Sequence, residues 1–390
     1  MTSVSVHHHV EGPAAAPALL LIHSLGSDHT LWDPIVPELT RHFRVLRYDQ
    51  RGHGASPTPD GPYAIADLAA DALALLDRLG VTRAHVCGTS LGGMVGLWLA
   101  RHAPERVERL AVVCSSARLG PAQAWRERAA LVRAEGTAAV AQAVVGRWFT
   151  PGFAAQHPAL ITRHVGMVLA TPAEGYAASC DAIAGWDFVS ELPHITVPTW
   201  LLAAEDDPAT PPAHAYLMAG LIPNACVDVI AAAAHSAFVE RPALVARLLI
   251  DHLHAHPDTT PLPDPERARR GELVRRAVLG DAHVDRAKAN TSALTAPFQD
   301  FITRYAWGEI WSRPGLSRGE RSIVTLSVLA ALHHDDELAM HIRAALRNGL
   351  TQEQIREVLL QVGIYAGVPA ANRAFAIAHR VLGELAGAQD

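Results

Sequence analysis

Cysteine is scarce: Cys87, Cys114, Cys180 and Cys226 are the only four among 390 residues, far apart and without a C-x-x-C pair. That spacing excludes a disulfide framework and a zinc ribbon. It fits a reducing compartment, so a cytoplasmic protein is expected. No apolar stretch reaches the roughly 18 residues of a membrane span, and no basic N-terminal segment precedes a long apolar run. Neither export nor membrane anchorage is expected. Positive charge is not in surplus either: the formal net charge is −6, which gives no footprint for nucleic acid or an anionic membrane surface. Small molecules are the expected partners.

What the chain does have is length and apolar content. Single cores stop growing at roughly 250–300 residues, so 390 residues with 49% hydrophobic and 18% charged content imply a globular chain of two domains. The boundary is expected at residues 254–265, from His254 to Pro265, where four prolines and little that could be buried make a semi-extended linker. The expected domains are 1–253 and 266–390.

The first domain alternates short apolar runs with helical patterns. Ala18 to His23, Phe43 to Tyr48, Ala84 to Cys87, Val107 to Cys114, Thr199 to Ala204 and Ala225 to Ile230 read as strands. Leu31 to Arg41 and Ile65 to Leu79 read as helices. Strands alternating with helices predict an α/β fold with a parallel sheet covered on both faces. Val4 to Val10, with His7, His8 and His9, reads as an early strand carrying exposed imidazoles rather than a metal site. Residues of about 117–190 form a non-strand insertion containing Trp125, Trp148, Phe149, Tyr176 and Trp186. It is expected to fold as helices and to cover a pocket as a lid, although aromatics there also serve simple packing. Arg133 and Arg147 are cations within it, either solvated or facing a substrate.

Gly88-Thr89-Ser90-Leu91-Gly92 lies between a strand and an apolar helix. This G-x-S-x-G pattern needs small residues around the serine because the chain reverses into a helix within a few positions, lifting the hydroxyl above the sheet edge. A serine hydroxyl is a weak nucleophile, so a base and an acid to orient that base are required. Asp207, just beyond the strand that ends at Ala204, is the expected acid, with its neighbour Asp206 as the alternative. His235, after the last strand, is the expected base, and the order Ser, Asp, His is the one this architecture uses. The oxyanion needs two preorganised donors, expected from the backbone N–H groups of Leu25 and Leu91.

These residues, with Tyr48-Asp49-Gln50-Arg51-Gly52-His53-Gly54-Ala55-Ser56 and Asp207-Pro208-Ala209-Thr210-Pro211-Pro212, resemble the 3-oxoadipate enol-lactonases of the α/β-hydrolase family over about Ala16 to Leu253. Ser24 and Ala204 stand where many relatives carry glycine, and both are small enough to leave the mechanism intact. The resemblance implies an enol-lactone substrate, opened by Ser90 and released with water activated by His235.

Beyond the linker every apolar pattern has a helical period. Phe298, Phe301, Ile302 and Tyr305 share one helix face. Ser317-Arg318-Gly319-Glu320 is a capping box for a helix at Ser322 to Leu332. Further helices are expected from Asp335 to Arg347, from Thr351, and from Ala370 to Leu385, the last two separated by Gly367-Val368-Pro369. Glu337 and His341, four apart, share a helix face, with His333 and His334 just ahead. An exposed ion pair, a metal site and a catalytic acid–base pair are all open to them.

Trp311-Ser312-Arg313-Pro314-Gly315-Leu316-Ser317, Arg321-Ser322, Glu337-Leu338-Ala339-Met340-His341 and Tyr365 to Asn372 resemble the 4-carboxymuconolactone decarboxylases. Helical relatives of that family reduce peroxides through a C-x-x-C, and no cysteine occurs in this half of the chain. The resemblance implies decarboxylation without a cofactor or a metal. It implies His341 as proton donor oriented by Glu337, with Arg313 and Arg321 holding substrate carboxylate, though either arginine could instead cap a helix or face solvent. The product of the helical domain would be the substrate of the sheet domain, so one bifunctional polypeptide acting on lactones is expected, assembled as a homo-oligomer through its helices. One rival reading is a generic esterase carrying a non-catalytic helical oligomerisation module; a further one is another serine-hydrolase chemistry, such as perhydrolysis or ester cleavage.

Overall fold

The computed structural model describes residues 3–254, 264–313 and 315–386. Two compact units divide the chain, Met1–Leu253 and His254–Asp390. Most of the expected linker, residues 255–263, lies outside the described residues.

The first unit is built on an α/β sheet of seven strands: β1 (His8–Glu11), β2 (Ala18–Ile22), β3 (Arg44–Tyr48), β4 (Ala84–Thr89), β5 (Val107–Val113), β6 (Thr199–Ala204) and β7 (Ala225–Ile230). Their spatial order is β1-β3-β2-β4-β5-β6-β7. β1 runs antiparallel to β3 and all other pairings are parallel. A parallel sheet buries both faces, which is why β2 tolerates no alternation: Leu19, Leu20, Leu21 and Ile22 are completely buried.

Two local expectations change. The first strand begins at His8, because the N–H groups of Val4 and His7 are taken by Asp71 Oδ1 and Ser56 Oγ instead of a neighbouring strand. Leu31 to Arg41 is not one helix but a 3-10 turn, His29–Trp32, and a single α turn, Val36–Leu39. Pro34 and Pro37 remove N–H donors that a continuous helix would need.

Between β5 and β6 the insertion folds into helices Ala122–Glu135, Ala141–Val145, Pro151–Gln156, Pro158–Ala170 and Ala173–Ala184. Trp148, Phe149, Tyr176 and Trp186 are buried there.

The second unit is helical throughout its described residues: Asp264–Leu279, Asp281–Ala289, Ala296–Ile302, a π-helical turn Thr303–Ile310, Arg318–Ala331, Asp335–Arg347, Gln352–Tyr365 and Val368–Ala386. Leu326, Ile342, Leu359 and Val381 are fully buried at its core. Ser317 and Glu320 form the reciprocal capping box, Ser317 Oγ accepting from Glu320 N at 3.2 Å and Glu320 Oε2 accepting from Ser317 N at 2.7 Å. The last helix restarts at Val368 rather than Ala370, since Pro369 sits in its first turn, where a missing N–H costs nothing. Phe298, Phe301 and Tyr305 do share a face, and it is exposed in the single chain. Among the described residues no helix is long and apolar enough to cross a membrane.

Candidate active sites

In the first unit the strand β4 turns directly into helix Leu91–His102, with Ser90 between them at φ +53°. The glycines around it make that turn feasible. A Cβ on Gly88 would sit 2.1 Å from Gly92 O, and one on Gly92 would sit 2.2 Å from Ile22 O. Both approaches are far inside van der Waals contact, so any side chain would push β2 and the turn apart. Ser115 Oγ donates to Ser90 O at 2.6 Å and secures the strained residue from β5's side.

Asp207 follows β6, His235 follows β7 and Ser90 follows β4, so all three lie beyond the C-terminal ends of parallel strands in one sheet. This is the sheet edge at which open α/β folds build their sites. Asp207 Oδ2 lies 2.8 Å from His235 Nδ1 and accepts from Thr210 Oγ1 at 2.7 Å, while Oδ1 accepts from the N–H groups of Ala209 and Thr210. Burial alone would push the Asp207 carboxyl up, but His235 and the Thr210 donors outweigh it and hold it at about 2. An ionised acceptor on Nδ1 fixes the tautomer whose Nε2 is unprotonated and basic. The alternative acid, Asp206, is exposed and makes no side-chain hydrogen bond to His235 among the described residues.

The loop after β2 supplies Leu25, and helix Leu91–His102 begins with Leu91. Among the described residues no acceptor is found for either N–H, and Leu91 stands where a helix leaves its N–H groups unused. Two buried imidazoles hold that loop. His53 Nε2 accepts from Gly26 N at 3.0 Å, and His23 Nε2 accepts from Gln50 N at 2.9 Å. Burial and its neighbour His23 hold His53 down at about 3, so it is neutral at pH 7 and able to accept.

The lid adds cations. Arg133 is occupied by Glu174 and Asp181, at 2.9 Å and 2.7 Å. Arg147 is different: burial and the neighbouring Arg128 depress it, while Asp207 and Tyr176 lie within electrostatic reach. Tyr176 is completely buried, Arg128 lies against its hydroxyl, and its ring lies where a Cβ on Gly26 would meet it at 2.9 Å. Arg128 and Tyr176 went unflagged as site residues in the sequence, because nothing in their local spacing points toward β6. Glu240 also escaped notice. It is buried and accepts from Thr150 N and Oγ1 and from Ala234 N, tying the lid to the residue before His235.

In the second unit His341 projects from helix Asp335–Arg347 and packs beside Trp307 and Trp311, ring centroids 6.5 and 6.2 Å away. Its Nδ1 is buried without a hydrogen-bond partner. Burial, then the nearby His283, hold His341 at about 4 against an opposing pull from Glu337, so it is a neutral imidazole at pH 7. Glu337 itself is exposed, and no hydrogen bond joins it to His341. His333 and His334 are exposed.

Arg313 is exposed, 3.8 Å from Glu309, and its carbonyl accepts from Arg321 Nη2 at 2.7 Å. Burial and the adjacent Arg318 and Arg313 depress Arg321 against an opposing pull from Glu320, so cations cluster here. No hydrogen bond or ion pair among the described residues links Arg313 or Arg321 to His341. A further cation, marked by no sequence pattern, lies on the His341 side: Arg275 is buried, its Nε has no partner among the described residues, and it stands next to His283.

The chemistry these two sites can perform agrees with their relatives. A profile of the alpha/beta hydrolase fold matches residues 17–242, and one of the carboxymuconolactone decarboxylase family matches residues 296–380. The chain is 39% identical to 3-oxoadipate enol-lactonase 2 of Acinetobacter baylyi over 61% of this chain and 89% of that protein. It is 48% identical to the 4-carboxymuconolactone decarboxylase of the same organism over 31% of this chain and 91% of that protein. The crystal structure of the enol-lactonase from Burkholderia xenovorans superimposes with a TM-score of 0.62 at 38% identity, covering 64% of this chain and 96% of that one. The chain belongs to the α/β-hydrolase fold family in its first unit and to the carboxymuconolactone decarboxylase family in its second.

Proposed function

We propose that this chain is a bifunctional enzyme of the β-ketoadipate route, decarboxylating 4-carboxymuconolactone to 3-oxoadipate enol-lactone and hydrolysing that lactone to 3-oxoadipate. The observation that carries the reading is the pairing itself: two separate units, each similar over about nine-tenths of a relative's length to an enzyme whose name places it at one of two consecutive steps. Residues 1–253 hold the lactonase, 254–265 the linker and 266–390 the decarboxylase. The protein acts in the cytoplasm.

In the lactonase, Ser90 Oγ attacks the ring carbonyl while His235 Nε2 takes its proton. The developing oxyanion is held by Leu25 N–H and Leu91 N–H. The acyl C–O bond breaks, and the enol oxygen receives the proton from His235. The freed enol then tautomerises to the ketone, which pulls ring opening forward. A water molecule deprotonated by His235 attacks the acyl-serine and releases 3-oxoadipate. Arg147 and Arg128 hold the substrate's free carboxylate, a role supported by the partial burial of Arg147 within reach of Asp207 and by the contact of Arg128 with Tyr176.

In the decarboxylase, the bond to CO₂ breaks and its electrons pass through the C=C into the ring carbonyl oxygen. The dienolate is then protonated on the ring carbon next to that carbonyl. His341, a neutral imidazole at rest beside Trp307 and Trp311, takes up a proton from water and delivers it to that carbon, returning to the neutral form, and Glu337 supports the protonated ring through charge rather than contact. Arg275, Arg313 and Arg321 hold the carboxylates, and the orphaned Arg275 Nε supports the first of these. No cofactor enters either half.

The protein assembles as a homo-oligomer through its helical unit. Leu294, Ile364, Tyr365 and Val368 are 88%, 78%, 82% and 65% exposed, more apolar surface than a lone helical domain leaves in water. An esterase carrying a purely structural helical module would show that association without releasing CO₂. Incubating pure protein with 4-carboxymuconolactone separates the two readings: CO₂ and 3-oxoadipate are expected, and association without CO₂ contradicts the proposal.

A further inference from the structure

Side chains alternate along extended backbone, so His9 in β1 and His7 just ahead of it share one side while His8 faces the other. His29, from the turn after β2, reaches the same place. The ring centroids of His7, His9 and His29 are 4.9, 5.4 and 4.3 Å apart, and one ring nitrogen from each lies within 4.8 Å of the others. Three imidazoles crowded at the edge of a sheet, two of them stacked, have no apolar core to explain their convergence.

A buried carboxylate organises them. Asp49 Oδ2 lies 3.0 Å from His7 Nδ1, and Asp49 Oδ1 lies 2.8 Å from His29 Nδ1. The same carboxylate accepts from the N–H groups of His29 and Ala55. With backbone N–H groups already donating to it, the carboxylate takes the Nδ1 hydrogen of each ring, and in the neutral imidazole Nε2 then presents a lone pair. A carboxylate behind a histidine is the outer shell that orients imidazoles onto metal ions. The ring of His9 makes no hydrogen bond among the described residues. The nearest opposing charge, Arg47, is already paired with Glu11 at 2.6 Å and Asp33 at 2.7 Å, and Asp28 adds negative charge beside His29.

We infer that His7, His9 and His29 form a binding site for one divalent first-row transition ion of the zinc class, through Nε2 of His7 and His29 and a ring nitrogen of His9. Water completes the shell and Asp49 backs it. Tetrahedral ligands around such an ion stand on the order of 3.4 Å apart, a closure that side-chain rotation supplies here. Imidazole-only donors suit zinc, nickel, cobalt and copper, and do not suit magnesium or calcium. The ion ties the outer strand β1, which has only β3 as a neighbour, to the loop that leads back to Leu25. Its role is structural, and the reactions proposed above do not pass through it.

The test uses the full chain without a purification tag, stripped with a chelator and titrated with zinc by calorimetry and with cobalt by visible absorption. One tight equivalent is expected, with the d–d bands of a four-coordinate cobalt site and a zinc-dependent rise of several degrees in melting temperature. His9→Ala, an exposed position that leaves the fold intact by circular dichroism, should weaken zinc binding more than tenfold and abolish the rise. His29→Gln should do the same, and His8→Ala should bind as the parent does. Absent binding, unchanged affinity in His9→Ala, or equal losses in His8→Ala would overturn the site.

Discussion

Asp207 Oδ2 stands 2.8 Å from His235 Nδ1 and also takes the Thr210 hydroxyl at 2.7 Å. A carboxylate so completely satisfied cannot rotate away, and His235 is thereby held in one tautomer. Cys114 lies against the same carboxylate, and burial followed by the Asp207 charge keeps its thiol protonated, so it adds no competing nucleophile.

Replacing Asp207 with Asn keeps the shape but offers an amide N–H to Nδ1, which favours the wrong tautomer. Lactone hydrolysis should fall on the order of 10⁴-fold. Asp206→Asn should stay near the parent rate. Steady-state kinetics on the enol-lactone checks both, and a comparable loss in Asp206→Asn would make it the orienting acid.

Arg147 and Arg128 should be read through substrate charge. Arg147→Ala is expected to raise KM for the anionic enol-lactone by about tenfold or more, since a charge-assisted contact contributes about 1.5–3 kcal/mol, while leaving hydrolysis of a neutral aryl ester nearly unchanged. Arg133→Ala, which breaks the contacts to Glu174 and Asp181, should affect stability more than KM. Equal losses on charged and neutral substrates would remove Arg147 from carboxylate binding.

In the helical unit, His341→Ala should abolish CO₂ release and leave lactone hydrolysis intact. Glu337→Gln should cost far less, because Glu337 is exposed and acts on His341 without a hydrogen bond. Should Glu337→Gln prove as damaging as His341→Ala, the carboxylate must move into contact during turnover.

Acid should destabilise the first unit in a defined window. His53 has its folded value near 3, below the ordinary 6.5, so between those limits the unfolded chain binds a proton that the folded chain refuses. Stability is complete above about pH 6.5 and falls as pH drops toward 3, by about 1.4 kcal/mol per pH unit for one such group. Asp207 extends the loss from its ordinary 3.8 down to about 2. Denaturant titrations across this range should show the slope, and His53→Asn should flatten it; an unchanged slope would contradict the assignment.

Much of the fold is legible in the sequence for physical reasons. Leu19 to Ile22 cannot be anything but a strand buried on both faces, and Gly88 and Gly92 announce a turn that no side chain could enter. Ser317 and Glu320 mark their helix by the contacts they make. Apolar spacing misleads at Leu31 to Arg41, where Pro34 and Pro37 override it. The surroundings of the sites are less legible. Arg128 comes from lid helix Ala122–Glu135 and Arg147 from the turn after helix Ala141–Val145, and His283, Trp307 and His341 come from different helices of the second unit. Their meeting depends on packing between elements, which leaves no local period to read.

Product analysis on the whole protein given 4-carboxymuconolactone tests the central claim most directly. The parent should release CO₂ and yield 3-oxoadipate, whereas Ser90→Ala should release CO₂ at the parent rate and accumulate the enol-lactone. Absence of CO₂ from both proteins, or loss of CO₂ release in Ser90→Ala, would contradict two sites acting in sequence on one chain.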